Sequence, residues 1–469
     1  MKQSYIRLLT VVVLSSVTAS CATNNNISIK QDQITVPEMW QNPSSNAVVS
    51  AQKVSVHDVI DKNLIEFIQV AVTQNPELKQ LSFELEAAKH RVTASGATLW
   101  PSLDLNLQSS VRQANENADV VDNASLNLAL KYEVDIWGKL SAADQQINLN
   151  FLKLQTQHKD RINTLVAEVM TTYFAIVEAK QQLELNKLRL ENTQNNLAII
   201  ETGYEQGLND ALDVYLTRND LANEQANISA QTQTLENLVR QFKTLIGTYP
   251  DNQFDYQDLA LDILPLDALS NTPSDVVKNH PKLRAAWQGL LSSNAAVAFA
   301  HKQRFPSFSL SLSAGSEGTD LGKALTEFDL GWSFIGNIAA PLFNAGRLKA
   351  NENAAKSNLQ ALEQNYISVF LSTFETIERL KANQTNLQAQ LNANKIAEQN
   401  AVAAEELSFE QYLKGLVNYA TVLTSQTRAF NAQSSVIRLQ YQLLQNQINL
   451  FTALGGDFQA LYEQGNVTL

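Results

Sequence analysis

The sequence predicts a mainly α-helical protein carrying a transmembrane β-barrel, built from a unit of helix, two strands, long helix and returning helix that is written twice. Three observations carry this: similarity between the two halves at a fixed offset, four strand-length segments with one apolar and one polar face, and two helical stretches far longer than a globular core needs.

The repeat comes first. Asn75-Pro76-Glu77-Leu78-Lys79 matches His280-Pro281-Lys282-Leu283-Arg284, and Leu99-Trp100-Pro101-Ser102-Leu103 matches Arg304-Phe305-Pro306-Ser307-Phe308, each pair 205 positions apart. Gly138-Lys139-Leu140 matches Gly346-Arg347-Leu348, Gly207-Leu208 matches Gly415-Leu416, and Gly247 matches Gly455, now 208 apart. A constant register broken by one three-residue insertion is the mark of duplication. The expected division is a signal segment at 1–20, an amino-terminal extension at 21–56, a first repeat at 57–250, a linker at 251–272, a second repeat at 273–456 and a tail at 457–469.

Each repeat opens with a helix, predicted over 57–97 and 273–303. Strands follow at about 101–113 and 124–137, then 306–315 and 327–338, with Pro101 and Pro306 at strand starts where a missing amide is tolerated. Leu126, Leu128, Leu130, Tyr132, Val134 and Ile136 alternate with polar or small residues, and Phe308, Leu310 and Leu312 alternate with serines. A soluble sheet half-packed on helices gives this pattern. So does a barrel strand, apolar towards lipid and polar towards water, and the length of about ten residues suits it.

Trp100 and Phe305 precede one strand of each pair while Trp137 and Phe343 follow the other, at the same end, as membrane-interface aromatics would be. Four strands cannot enclose an aqueous lumen, and open strand edges have no partner in lipid. A barrel therefore requires several copies, and three copies of four strands supply twelve, enough for a polar interior. The polar segments Gln113 to Asn123 and Gly315 to Glu327 are expected as loops, with Gly315, Gly318 and Gly322 flexible.

Long helices are predicted over about 139–202 and 347–413, proline-free. About 64 residues at ~1.5 Å each give about 95 Å, beyond any bilayer thickness. No 18-residue apolar run is expected in them, so they should lie in water. Turns marked by Gly203 and Gly207, and by Gly415, lead into returning helices ending at Gly247 and Gly455-Gly456, which suit helix C-caps.

The chain has 469 residues and a net charge of −12, with no basic stripe, which excludes a nucleic-acid partner. Residues 1–20 read as an export signal: Lys2 and Arg7, the apolar Leu8 to Val17, then Thr18, Ala19 and Ser20. Cys21, the sole cysteine, follows at once, in the place a lipoprotein signal puts its acylated cysteine, although Thr18 stands where leucine is usual. Ordinary signal cleavage with Cys21 incidental is the other reading. No P-loop or G-x-S-x-G is present, and the five histidines show no i, i+4 ligand pair, so neither enzymatic activity nor a metal or other cofactor is expected.

The doubled proline entry to the strands, Asp135-Ile136-Trp137-Gly138-Lys139-Leu140, Pro341-Leu342-Phe343-Asn344-Ala345-Gly346-Arg347 and the terminal Ala453-Leu454-Gly455-Gly456 resemble the TolC-like outer-membrane factors, in their efflux lipoprotein branch. The resemblance implies a homotrimer in the outer membrane, its twelve-stranded barrel continuing into a periplasmic α-helical barrel. It also implies a lipid anchor at Cys21 and, with Ala22 rather than aspartate next, sorting to outer-membrane lipid. Its partners would be a periplasmic adaptor (a membrane-fusion protein) and an inner-membrane RND-type transporter, and its cargo drugs, metal ions or other small molecules.

A type I protein-secretion duct shares the fold and remains an alternative, as does a non-conducting lipid-anchored scaffold. By resemblance the closure lies just past the tip glycines. Asp210 and Asp213 fall there in the first half, Asp213 at the place of a latching carboxylate, although a solvated helix start explains both equally. In the second half Thr421 and Thr424 stand where relatives carry aspartates and Val417 where a latching arginine stands. The expected gate is helix-tip packing around Tyr412, Tyr419 and Ala420.

Overall fold

The computed structural model describes residues 36–41, 62–255 apart from 114, 117 and 118, and 272–462 apart from 320 and 327–329. Cys21 lies outside the described residues. The chain divides into two compact units, one holding Glu84–Thr156 with Arg284–Val369 and the other Val36–Phe83, Gln157–Leu283 and Phe370–Leu469.

The elements run α1 (Lys62–Gln74), α2 (Pro76–Ala97), β1 (Ser102–Arg112), β2 (Val121–Val134), α3 (Lys139–Glu205), α4 (Ala211–Leu245), α5 (Pro273–Asn279), α6 (Pro281–Lys302), β3 (Ser307–Gly318), α7 (Leu321–Thr326), β4 (Gly331–Ala339), α8 (Arg347–Leu413), α9 (Tyr419–Ala453) and α10 (Gln459–Tyr462). The long helices α3 and α8 have 67 residues each, about 100 Å at ~1.5 Å per residue, and the returning helices α4 and α9 have 35 each. The duplication is written into the backbone too. Gly138, Gly207 and Gly247 take positive φ, and so do Gly346, Gly415 and Gly455, each 208 residues on.

Four sequence expectations need correction. The opening helix of each repeat is two helices, because Pro76 and Pro281 begin new ones and hold the preceding residue out of the helical region; His280 has φ −63 and ψ 124. Strand β2 ends at Val134 rather than near 137, since the Asp135 carboxylate turns to cap α3, accepting from the Leu140 amide at 2.9 Å and the Ser141 amide at 2.8 Å. Gly315 to Glu327 is not a loop: β3 runs to Gly318 and α7 follows. A Cβ at Gly315 would collide with the Leu126 carbonyl oxygen and one at Gly318 would meet the Ala324 nitrogen at 2.5 Å, so these glycines serve close backbone approach. Finally, α3 does contain an 18-residue stretch apolar enough to cross a membrane. That window is 67% buried within the protein.

In the second unit, Ile162, Leu165, Val169, Met170, Tyr173 and Val177 of α3 pack against Leu64 and Ile68 of α1, Val239 and Phe242 of α4, and Leu444 and Ile448 of α9. The Phe67 and Phe242 rings meet edge to face at 5.1 Å, an arrangement worth about 0.5–1.5 kcal/mol beyond the area buried.

The breaks before Pro76 and Pro281 are built alike. Asn75 donates from Nδ2 to the Leu245 carbonyl at 2.8 Å and accepts the Leu78 amide on Oδ1 at 3.0 Å. His280 donates to the Ala453 carbonyl and accepts the Lys282 amide on Nδ1 at 3.2 Å. Each side chain thus ties the end of a returning helix to the start of another. Burial, then the charge on Lys282, pushes the His280 imidazole down to about 4, so it is neutral in the fold. Because the folded value lies below the ordinary 6.5, the stability this joint contributes is present above pH 6.5 and lost as pH falls towards 4. Amide protection near Lys282 and Ala453, taken relative to the intrinsic exchange rate at each pH, should fall across that window as pH drops. In His280→Asn, which copies the first repeat, that loss of protection should vanish.

Candidate functional site

The four strands form one antiparallel sheet in the order β1-β2-β3-β4, so its central pair joins the two repeats. Register fixes which side chains share a face. Leu103, Leu130, Leu312 and Phe334 lie in one row and Leu105, Leu128, Ala314 and Trp332 in the next. The opposite face carries Asp104, Ala129, Ser313 and Ser333, then Asn106, Asn127, Gly315 and Gly331. On it Lys131 pairs with Asp104 at 3.3 Å and the Ser313 and Ser333 hydroxyls are 2.7 Å apart.

The apolar face is uncovered: Leu105 is 69% exposed and Trp332 75%. Among the described residues no strand closes β1 onto β4, and both edges leave a row of unpaired backbone groups. The Glu133 carboxylate pairs with Lys139 beneath the sheet, anchoring β2 to α3.

The structure divides the four aromatics singled out by the sequence. Trp100 is 74% exposed and Phe343 90%, free to meet an interface. Trp137 and Phe305 instead stack on each other at 5.3 Å, and the Trp137 indole donates to the Pro306 carbonyl at 2.8 Å. Those two rings clamp the exit of β2 to the entry of β3, holding the two repeats together. With Asp135 capping α3, Gly138 at φ +70 and its carbonyl accepting from Lys302 at 3.1 Å, the whole Asp135 to Leu140 motif is a strand-to-helix corner.

The two helical turns of the second unit share one geometry. Gly207 donates to Tyr204 at 3.0 Å and Leu208 to Gly203 at 2.8 Å; Gly415 donates to Tyr412 and Leu416 to Gln411, both at 2.9 Å. These are Schellman closures, in which a left-handed glycine ends the helix and turns the chain. Asp210 and Asn418 then start the returning helices. Only Asn418 caps with its side chain, accepting the Thr421 amide at 3.0 Å, whereas Asp210 makes no such bond.

The candidates gather here with distinct roles. The Tyr412 hydroxyl donates to Asn209 Oδ1 at 3.1 Å, and Asn209 Nδ2 donates to the Ile200 carbonyl at 3.1 Å, so one asparagine latches the second turn to the first. Gly203 sits under that amide, where any Cβ would collide with Asn209. Tyr419 lies 5.4 Å from the Tyr412 ring but is only 1% exposed, packed with Ile200, Val214 and Val422. It is core of the protomer's own tip and cannot line an opening. Val417 is half-buried, and Ala420, Thr421 and Thr424 are exposed.

The hydroxyl protons are already committed: Thr421 donates to Asn418 at 2.8 Å and Thr424 to the Ala420 carbonyl at 2.9 Å. Burial, then the neighbouring Asp210, raises the Asp213 carboxyl. Burial and then the charge of Asp213 raise the Tyr412 hydroxyl, so these two groups face each other across the turn. The residue that sequence reasoning missed is Asn209; an asparagine beside a helix start and a glycine turn was the available signal. Among the described residues no group of three or more His, Cys, Asp or Glu is arranged to hold a metal ion.

A sheet apolar on one face and polar on the other, open at both edges, together with two long helical hairpins closed by paired glycine turns, defines one protomer's share of a membrane-channel wall. The model of the outer membrane efflux protein family matches residues 67–248 and 272–456, and the chain belongs to that family. It is 26% identical over 403 residues to the solvent efflux pump outer membrane protein SrpC of Pseudomonas putida, spanning 84% of this chain and 86% of that one. To the probable outer membrane lipoprotein SilC of Salmonella typhimurium it is 26% identical over 404 residues, spanning 85% and 86%. Among solved structures, the Campylobacter jejuni CmeC outer membrane channel superposes with a TM-score of 0.81 at 20% identity, spanning 91% of this chain and 94% of that one. The protein is accordingly an outer-membrane efflux component, in a family of transport rather than catalysis.

Proposed function

We propose that this chain is the exit duct of a tripartite efflux pump, passively conducting small molecules outward. Three copies each give four strands to one barrel and two hairpins to a periplasmic tunnel, which an adaptor and an RND-type transporter engage from the inner membrane. The observation that carries this reading is the open pair of edges, β1 and β4, on a sheet whose exposed apolar face belongs in lipid. In lipid an unpaired edge costs several kcal/mol per group, and pairing β1 of one copy with β4 of the next removes it.

Relatives named for solvents, pyoverdine and cations belong to the same family, which supports a choice of cargo made outside the duct. Cys21 is the proposed lipid anchor; palmitate labelling should be lost in Cys21→Ala. Purified protein in planar bilayers should give stepwise ion currents, and folded trimers that carry none would contradict the reading. Copurification with a transporter ATPase rather than an RND-type pump would instead favour protein secretion.

The tip turns are the proposed gate, with Asn209 and Tyr412 as latch and Asp213 setting its charge. Tyr412→Phe removes one hydrogen bond worth about 1 kcal/mol, so open probability should rise about fivefold per latch broken. An unchanged current in both Tyr412→Phe and Asp213→Ala would remove the gate from this place.

A further inference from the structure

Beside the tip cluster, on which its lining residue Leu423 packs, α3, α4, α8 and α9 leave a cavity of about 210 Å³, smaller than the ~300–1,000 Å³ of drug-sized sites. Its lining includes Arg189 of α3, Asp220 of α4, Glu405 of α8, and Leu423, Gln426 and Phe430 of α9. The charges do not balance. Arg189 is the only cation in the lining, and it is already held by Glu224 at 3.0 Å, a carboxylate with 3% of its side chain exposed. Its guanidinium also lies 4.3 Å from the Phe430 ring centroid. The second Glu224 oxygen is buried with no hydrogen-bond partner, so even this pair is incompletely satisfied.

Asp220 and Glu405 face the remaining space from different hairpins. Burial raises both carboxyls; Arg189 only partly offsets this, and Glu406 adds to it at Glu405. The titratable groups around the cavity are thus Arg189, Asp220, Glu224, Glu405 and Glu406, with Tyr419 of α9 beside Asp220. Among the described residues no group of three or more His, Cys, Asp or Glu is placed to hold a metal ion, here or elsewhere. Asp220 and Glu405 share the lining with Leu185, Leu188 and Leu423, and two anions beside an apolar wall match a ligand that is positive at both ends and apolar in the middle.

We infer that this cavity is a binding site for a small alkyl diammonium ion, one per protomer, which bridges Asp220 of the first hairpin and Glu405 of the second. By tying the hairpins together, the bound dication favours the packed state of the tip. The site lies in the wall, and its occupancy does not depend on whether the trimer conducts.

The test is calorimetric titration of the detergent-solubilised full-length protein with 1,5-diaminopentane at pH 7.5 and low salt. Saturable binding of one molecule per chain is expected, at least tenfold weaker in Asp220→Asn and in Glu405→Gln, and weaker as pH falls towards 5. The uncharged 1,5-pentanediol should not bind, a comparison on the wild-type protein that stands even if a variant fails to fold. Absence of saturable binding, equal binding of the diol, unchanged affinity in both variants, or magnesium chloride binding as tightly as the diamine would overturn the assignment.

Discussion

Leu128→Arg should abolish assembly in the outer membrane, whereas the same change one residue earlier, Asn127→Arg, should leave trimers intact and alter only ion selectivity. The two residues are neighbours on β2, a central strand, and register places Leu128 in a row with Leu105 and Ala314 while Asn127 lies with Asn106 and Gly315. An arginine facing lipid near the middle of a barrel strand costs about 2–4 kcal/mol. Three copies bring that to about 6–12 kcal/mol per assembly, comparable with the whole stability of a folded domain. On the polar face the side chain stays in water and the penalty disappears. Heat-modifiable trimers in outer-membrane fractions distinguish the outcomes. Equal tolerance of both substitutions would mean that the apolar face does not meet lipid.

The second large effect lies at the foot of β3. Glu352 of α8 receives Arg304 at 2.7 Å, Lys356 at 2.7 Å and His301 at 3.2 Å, so one carboxylate joins α6, the entry to β3 and α8. Removing one partner of a buried ion pair costs about 3–5 kcal/mol, but Arg304 and Lys356 are about half exposed and rehydrate, so about 2 kcal/mol is expected for Glu352→Ala. Burial alone would raise this carboxyl; hydrogen bonds from Lys356, Arg304 and His301 outweigh it and hold the group at about 2, below the ordinary 4.5. The stability it contributes is therefore present above pH 4.5 and lost as pH falls towards 2. Thermal unfolding followed across that range should show a falling midpoint in the wild type and a flatter one in Glu352→Gln. Parallel curves would assign the effect to other carboxylates.

The strands and long helices were legible because period and length are local properties. Alternation of Leu126, Leu128 and Leu130 needs no partner to be seen, and neither does a proline-free run of 67 residues. The repeat offset was legible for the same reason. Less visible was anything decided by a distant contact. Gly315 and Gly318 read as loop residues because glycine favours loops, yet they sit in β3 where the Leu126 carbonyl and the Ala324 backbone press close.

Trp137 and Phe305 looked like interface aromatics by position, but their stacking joins residues 168 apart in sequence. At the tip the two aspartates drew attention by charge, while the latch falls to Asn209, whose partner Tyr412 is 203 residues away. His280 is one of five histidines without ligand spacing in the sequence; its match to Asn75 across the repeat gives it a defined task.

The central claim is that several copies close one barrel by pairing the β1 edge of each with the β4 edge of the next. Within one chain those strands are separated by β2 and β3, about 14 Å at ~4.8 Å per step, too far for a disulfide. Cysteines at Ser102, Asp104 or Asn106 of β1, combined one at a time with cysteines at Ser333, Ile335 or Asn337 of β4 in a Cys21→Ala background, can therefore link only neighbouring copies. Oxidation in native membranes should give, for at least one pairing, a covalent ladder on denaturing gels that ends at the trimer. A ladder running past three, or monomers alone across all nine pairings, would contradict the closed barrel.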